Sequence, residues 1–451
     1  MVSKVPVFLL YILLLFPKLD VFHLPSTSMT SKPEDLVSGV MLFLLLLTLM
    51  ITVMRINRET QTAKLLALCF GYIFYLIIVT VAYGGNIFYV FRYILYYSMI
   101  LVAFLPGEKP YIDSIERVAF LVLIVYFGVS LLQKLRIVGG IHTGQYVSDV
   151  SDRATLIFTN STEAGLISGM LFAIVIGSRQ GRFIKITAFV CAVAVNFLGQ
   201  NRIALASLFL IAFVFVVKKK QILVSFRRFR LRITRKALLI LFLLIFILSV
   251  ATLSVYMPRA FVVSEEISLG KVLKLSSRLI QDQFERQEVP SDISEYAIGR
   301  SSSDYGLLDE SWIFRIQKWT YVMKILSSGY VFGIGAGNSI GDAVDGFYFR
   351  LLVESGYLGL FIYFLIFRRL YGIARIKKGG IPGLAYVLLI LLVQGTFLDS
   401  FYFSRVGYLF WLLVGFKLHA MRENHEIENY TFAPQLGQFH GAIGPAVDRD
   451  A

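Results

Sequence analysis

Hydrophobic positions in this chain seldom alternate, and over most of its length they do not gather on one helical face. They run on for roughly 15–20 residues, stop at short polar or basic stretches, and begin again. A helix needs about 20 apolar residues to cross ~30 Å of hydrocarbon, and a single segment in lipid can satisfy its backbone only as a helix. On that pattern we expect spans at 5–22, 36–54, 65–83, 87–105, 118–135, 163–177, 186–200, 203–217, 238–256, 347–366, 382–398 and 404–419. The expected fold is an all-α polytopic membrane protein of about 12 transmembrane helices. The first run, Val5–Phe16 after Lys4, has the length of a signal peptide. It is followed by Pro17-Lys18-Leu19-Asp20 and no small-residue cleavage site, so it counts as a span.

Two regions break the pattern. Residues 257–346 form a long charge-balanced loop before the tenth span, and 420–451 are a polar tail, disordered in expectation, without periodicity beyond 426. The large loop ends in a segment that reads as an amphipathic helix, with Trp312, Ile316, Trp319, Met323 and Leu326 at helical spacing. A glycine-rich run follows, Phe332-Gly333-Ile334-Gly335-Ala336-Gly337. An acidic and aromatic entry, Asp342, Asp345, Phe347 and Tyr348, then leads into a span carrying Arg350 and Glu354. The chain thus divides into spans 1–9 (1–256, with a basic loop at 218–237), the large loop (257–346), spans 10–12 (347–419) and the tail (420–451).

Composition agrees with the pattern: 57% of residues are hydrophobic, 16% are charged and the mean hydropathy is +0.71. The formal charge of +15 would suggest nucleic acid in a soluble chain. Here its strongest cluster, Lys218–Lys236, falls in a loop that alternation puts beside Lys64, Arg179, Arg182 and the segment Arg368–Lys378. Clustered positive charge of this kind marks the cytoplasmic side, so both termini are expected there and no nucleic-acid partner is implied. Cys69 and Cys191 both lie in apolar runs, which excludes a disulfide framework or a redox pair, and the scattered histidines have no metal-ligand spacing.

Candidate chemistry gathers at the opposite, outer boundary. Arg92 lies inside the fourth span, Arg202 in the tight turn Gly199-Gln200-Asn201-Arg202, Arg350 just inside the tenth span, and Arg405 at the head of the twelfth. A charge inside hydrocarbon costs about 2.5–3.5 kcal/mol on insertion scales, so such residues pair, snorkel or line a wet cavity. Several on one side suit a common anion, and the planar guanidinium fits phosphate oxygens. The glycine run has two readings, a nest of amides for phosphate or a flexible connection. It is neither a P-loop, since no Gly-Lys-Ser/Thr follows, nor a dinucleotide fingerprint. For acid–base work Asp345 and Glu354 are best placed, with Tyr348 beside them. Asp345 reads equally as a helix cap, and Glu354 as the i+4 ion-pair partner of Arg350. Trp319 reads as an interfacial anchor or, more sharply, as a sugar-stacking ring.

Three local patterns carry a resemblance. Gln200-Asn201-Arg202-Ile203-Ala204-Leu205-Ala206 looks like the short "S-R-G-A-L-L-A" turn of the bacterial O-antigen polymerase (Wzy-type) family and of the related O-antigen ligases. Arg315 with Trp319, followed by the glycine run, is similar to the end of that family's large periplasmic loop. Asp345-Gly346-Phe347-Tyr348 through Leu360 resembles the entry to its next span. The resemblance implies a GT-C-type glycosyltransferase in the bacterial inner membrane, active on the periplasmic face. It would move glycan from undecaprenyl pyrophosphate onto a lipid-linked repeat unit, with a polysaccharide copolymerase as chain-length partner. It further implies that Arg202 and Arg315 hold pyrophosphate and that no metal or nucleotide sugar takes part. On the reading of the residues themselves, Arg350, Arg92 and Arg405 are further candidates for the pyrophosphate, and Tyr348, Trp319, Gly335 and Gly337 for the substrate. Ligases commonly have His where this chain has Asp345, which favours polymerase over ligase. A lipid-linked oligosaccharide flippase is the expectation from another class, though no internal repeat supports it.

Overall fold

The computed structural model describes residues 5–17, 61–103, 112–139, 154–158, 160–218, 310–337, 346–376, 383–398 and 403–432, together with short pieces at 22–23, 30–31, 225–226, 229–230, 277–281 and 400–401 and single positions at 274, 285 and 381. The described chain is helical, with only two-residue ladders pairing Phe22–His23 with Thr30–Ser31 and Ser225–Phe226 with Phe229–Arg230. The helices are α1 (Val5–Leu15), α2 (Gln61–Ala82), α3 (Ile87–Val102), α4 (Ile112–Lys134), α5 (Ser161–Gly177), α6 (Arg182–Leu198), α7 (Arg202–Lys218), α8 (Glu310–Ser327), α9 (Phe347–Arg375), α10 (Leu384–Gly395) and α11 (Ser404–Phe432). Each expected span meets one of them except 36–54 and 238–256, which lie outside the described residues.

Among the described residues three helices are long and apolar enough to cross a membrane: Gln61–Ala82, Ile115–Lys134 within α4, and Phe347–Arg375. Helices α3, α5, α7 and α10 are apolar but shorter. Phe183, Phe74 and Phe364 expose 80%, 67% and 61% of their surface. Large apolar side chains so far out, on helices with apolar cores behind them, make sense against lipid rather than water.

Side-chain pairs fix the directions. Ser207 meets Gln394 and Phe215 meets Tyr386, so α7 and α10 are antiparallel. Tyr96 meets Tyr408 and Gly415 meets Ile100, so α3 and α11 run side by side in the same direction. Tyr72 reaches Ser355 while Lys64 faces Arg369, which makes α2 and α9 antiparallel. Followed through the bundle, these pairings put the 83–86 turn, the 199–201 turn, the 328–337 loop, Gly346 and the 396–403 turn at one end. The basic positions Lys64, Arg182, Arg368 and Arg375 collect at the other. Close contact between α3 and α11 depends on small residues: a Cβ at Gly407 would sit 2.9 Å from the Tyr96 ring, and one at Gly415 2.6 Å from the Ile100 carbonyl.

The structure corrects four expectations. The last helix runs on to Phe432, so the tail expected to be disordered from 420 begins as helix. The first span does not reach residue 22: α1 ends at Leu15, ahead of Pro17. Its last carbonyls are taken by side chains, since Tyr126 Oη donates to Leu14 O and Arg405 Nη1 donates to Phe16 O. On α8, Met323 points outward, and Tyr321, Val322 and Ile325 join Ile316 and Leu326 in the buried face, packed on Val353 of α9. The tenth span continues past 366 to Arg375 and is broken inside, at Gly356 (φ 61°, ψ −164°).

Candidate functional site

The break in α9 organises this end of the molecule. Turning the chain out of helical geometry at Gly356 strips the carbonyls around it of intrahelical partners, which membrane depth tolerates only if other groups replace them. The glycine-rich loop supplies those groups. Ile334 N–H donates to Val353 O (2.8 Å), Gly335 N–H to Glu354 O (3.0 Å), and Tyr357 N–H to Val331 O (3.1 Å). Tyr75 Oη of α2 donates to Ser355 O (2.8 Å). On its far side the loop is stitched to the α2–α3 turn: Ala336 N–H donates to Thr80 Oγ1 (3.0 Å) and Asn86 N–H to Ala336 O (2.9 Å). Glycine is required for the approach: a Cβ at Gly356 would lie 2.1 Å from Val331 O, and one at Gly335 2.6 Å from the Thr80 Cα. The run is therefore a fixed wedge rather than a flexible connection, and the Gly335 amide is committed to Glu354. Gly337 packs on Tyr89 and Asn86.

Directly beneath the wedge sits a buried charged network. Arg350 Nε donates to Glu354 Oε1 (2.9 Å) one turn along α9, with 5% and 1% of the two residues exposed. Tyr93 Oη of α3 donates to Glu354 Oε2 (3.0 Å). The carboxylate therefore has a charged donor on one oxygen and a phenol on the other, the satisfaction that a buried charge requires. Arg92 lies over the Tyr89 ring (5.5 Å) and within electrostatic reach of Arg350, Tyr96 and Tyr408. Two guanidiniums thus lie within electrostatic reach of each other among tyrosines, and the Glu354 carboxylate is bonded to one of them.

Arg202 and Arg315 lie on neighbouring helices toward the same end of the bundle. At the head of α7, Gly199 ends α6, Gln200 adopts left-handed φ (54°), and Asn201 Oδ1 accepts from Ala204 N–H (3.1 Å) as a helix cap. That turn places Arg202 at the first residue of α7. Since Ser207 pairs with Gln394 and the two helices are antiparallel, Arg202 stands level with the turn that follows α10, which begins at 396–398. From the other flank, Trp319 of α8 stacks on Phe349 (4.8 Å, 9°) and tilts toward Phe397 of the same turn (6.1 Å). Arg315, one turn before Trp319, is half-buried, and its Nε has no hydrogen-bond partner among the described residues.

The remaining expected site residues divide. Arg405 is buried, reaches Phe16 O and lies 5.6 Å over the Phe158 ring, so its visible work is to close α1. Tyr348 donates to Leu392 O (2.9 Å), joining α9 to α10. Asp345 and Asp342 lie outside the described residues, and so does the side chain of Trp312. Sequence reasoning missed Tyr93, Tyr72 and Glu163. Glu163 is fully buried in the first turn of α5, and both it and Arg405 act electrostatically on Tyr126. The available signal was polar groups inside apolar runs: tyrosines at 93, 96 and 97, and a lone carboxylate at 163. Among the described residues no cluster of His, Cys, Asp and Glu could hold a metal ion. No family model matches this chain, and no curated protein matches it either.

Proposed function

We propose that this protein is a membrane glycosyltransferase of the O-antigen polymerase type, with about twelve spans of ~20 residues each and both termini in the cytoplasm of a bacterium. It extends a polysaccharide by moving glycan from undecaprenyl pyrophosphate onto a lipid-linked repeat unit at the periplasmic face. The observation that carries this reading is that four arginines lie toward one end of the bundle: Arg350 and Arg92 within electrostatic reach of each other, Arg202 at the head of α7 level with the end of α10, and Arg315 one turn before Trp319. Guanidiniums held at a membrane boundary suit a diphosphate leaving group.

In the reaction, an acceptor hydroxyl oxygen bonds to the anomeric carbon while the bond from that carbon to the pyrophosphate oxygen breaks. The electron pair leaves with the diphosphate, whose charge Arg202, Arg315 and Arg92 neutralise. Glu354, locked between Arg350 and Tyr93, holds the Arg350 guanidinium in place. The hydroxyl proton goes to Asp345, which directly precedes Gly346 at the head of α9. Trp319 offers a ring to the sugar, and a copolymerase partner sets chain length.

Purified protein incubated with a lipid-linked repeat unit is expected to produce a ladder of polymers. Arg202→Ala and Arg315→Ala should each shorten the distribution at normal protein level, and an unchanged distribution for both overturns the reading. One observation favours a second reading. A helix broken inside an apolar span, as α9 is at Gly356, is typical of transporters. Translocation of a sugar-lipid by purified protein in vesicles, with no ladder, would establish a flippase instead.

A further inference from the structure

At the end of the bundle away from the glycine wedge, α2 and α9 diverge around an open groove of about 750 Å³. Its lining has two zones. Lys64, Arg368 and Arg369 converge from the two helices, while Ala67, Leu68, Leu365 and Ile373 form an apolar wall. No carboxylate is among its described lining residues. Arg369 is half-buried and its Nε, shielded from solvent, has no hydrogen-bond partner among the described residues. Gly372 opens the wall between the cations: a Cβ built there would meet nothing within 4 Å.

Three cations with no described counter-charge beside them repel one another, and a guanidinium donor shielded from solvent is destabilising while it stays unfilled. An arrangement of this kind is stabilised by an anion with several acceptor oxygens. The volume is that of an ordinary small-molecule site, ~300–1,000 Å³. Both helices have membrane-spanning length and composition, and the apolar wall continues along them beneath the cations. A soluble anion would have no use for that wall, whereas a phospholipid acyl chain would lie along it. Basic pockets between helices at a membrane face are suited to anionic headgroups.

We propose that this groove is a binding site for the phosphodiester headgroup of an anionic glycerophospholipid. Arg368 and Arg369 hold the phosphate, Lys64 adds charge from α2, and one acyl chain lies against Leu68 and Leu365. The site is separate from the arginines of the glycosyl-transfer reading and does not depend on it.

The test is native mass spectrometry of the full-length protein in detergent with added phosphatidylglycerol or phosphatidylcholine. Phosphatidylglycerol should be retained at least about tenfold more than phosphatidylcholine at equal concentration, a difference of about 1.4 kcal/mol. Arg369→Gln combined with Lys64→Gln should abolish that preference. Gly372→Leu keeps every charge but fills the groove, so it should lower retention about as far even if the charge variant folds poorly. Equal retention of the two lipids overturns the proposal, as does a preference that survives both variants. Displacement of bound lipid by millimolar inorganic phosphate would assign the cations to a soluble anion and overturn the lipid assignment.

Discussion

Replacing Arg350 by Met tests the buried network most directly. Glu354 is 1% exposed, and its Oε1 would lose its charged donor, leaving the carboxylate with the Tyr93 phenol on Oε2 but no cation bonded to Oε1. Removing one partner of a buried ion pair costs about 3–5 kcal/mol, because the carboxylate stays desolvated with its charge uncompensated. That is a change of roughly two to nearly four powers of ten in the unfolding equilibrium. Glu354→Leu added to Arg350→Met removes the orphaned charge along with the donor. Apolar replacement of a whole buried pair is often neutral, so the double variant should recover most of the loss. Unfolding free energy measured in bicelles or detergent, for example by steric trapping, gives all corners of the cycle. An Arg350→Met variant within about 1 kcal/mol of the parent would refute the reasoning, since it would mean that the carboxylate finds water or another cation. The same cycle separates structure from chemistry: the double variant should be stable and inactive in the ladder assay. A stable and active double variant would show that Arg350 takes no part in transfer.

Other outcomes follow from single contacts. Tyr93→Phe removes a hydrogen bond to a charged acceptor and should cost about 1.5–3 kcal/mol in the same measurement. Gly356→Ala must hold left-handed φ and places a Cβ 2.1 Å from Val331 O, so the folded yield should collapse. Gly372→Ala, helical and facing open space, should instead gain about 0.5–1 kcal/mol. Asn201→Ala loses the cap on Ala204 N–H and should destabilise by roughly 1 kcal/mol, read as a lower melting temperature. Tyr126→Phe frees Leu14 O and should loosen α1 by about 1 kcal/mol, seen as faster amide exchange at its last turn.

Much of the candidate site was legible from the chain because its signals are local. Arg350 and Glu354 stand four apart on a helix, and a pair at that spacing meets whatever surrounds it. The turn Gly199–Arg202 carries its own punctuation in a glycine, a left-handed glutamine and an asparagine cap. The break at Gly356 was not legible. Glycine is common in apolar spans, and what makes this one a break is a loop about twenty residues upstream that replaces the lost hydrogen bonds. Nor does any local pattern announce that Tyr93 of α3 closes the second oxygen of Glu354. Trp319 could be given a helix face from sequence, but only packing shows it stacked flat on Phe349.

By itself, then, the sequence determined that this protein is built from apolar helices and which charged residues interrupt them. In lipid every backbone group must be paired within its own segment, so the length and hydrophobicity of a run dictate its state. Only the tertiary structure decided which of those charges are companions. Arg92 of α3 and Arg350 of α9 come within electrostatic reach of each other, whereas Arg405 closes α1. The physical reason is that a buried charge is held by whichever oppositely polarised group the packing of distant helices brings within hydrogen-bonding range, and a one-dimensional pattern contains no such distance.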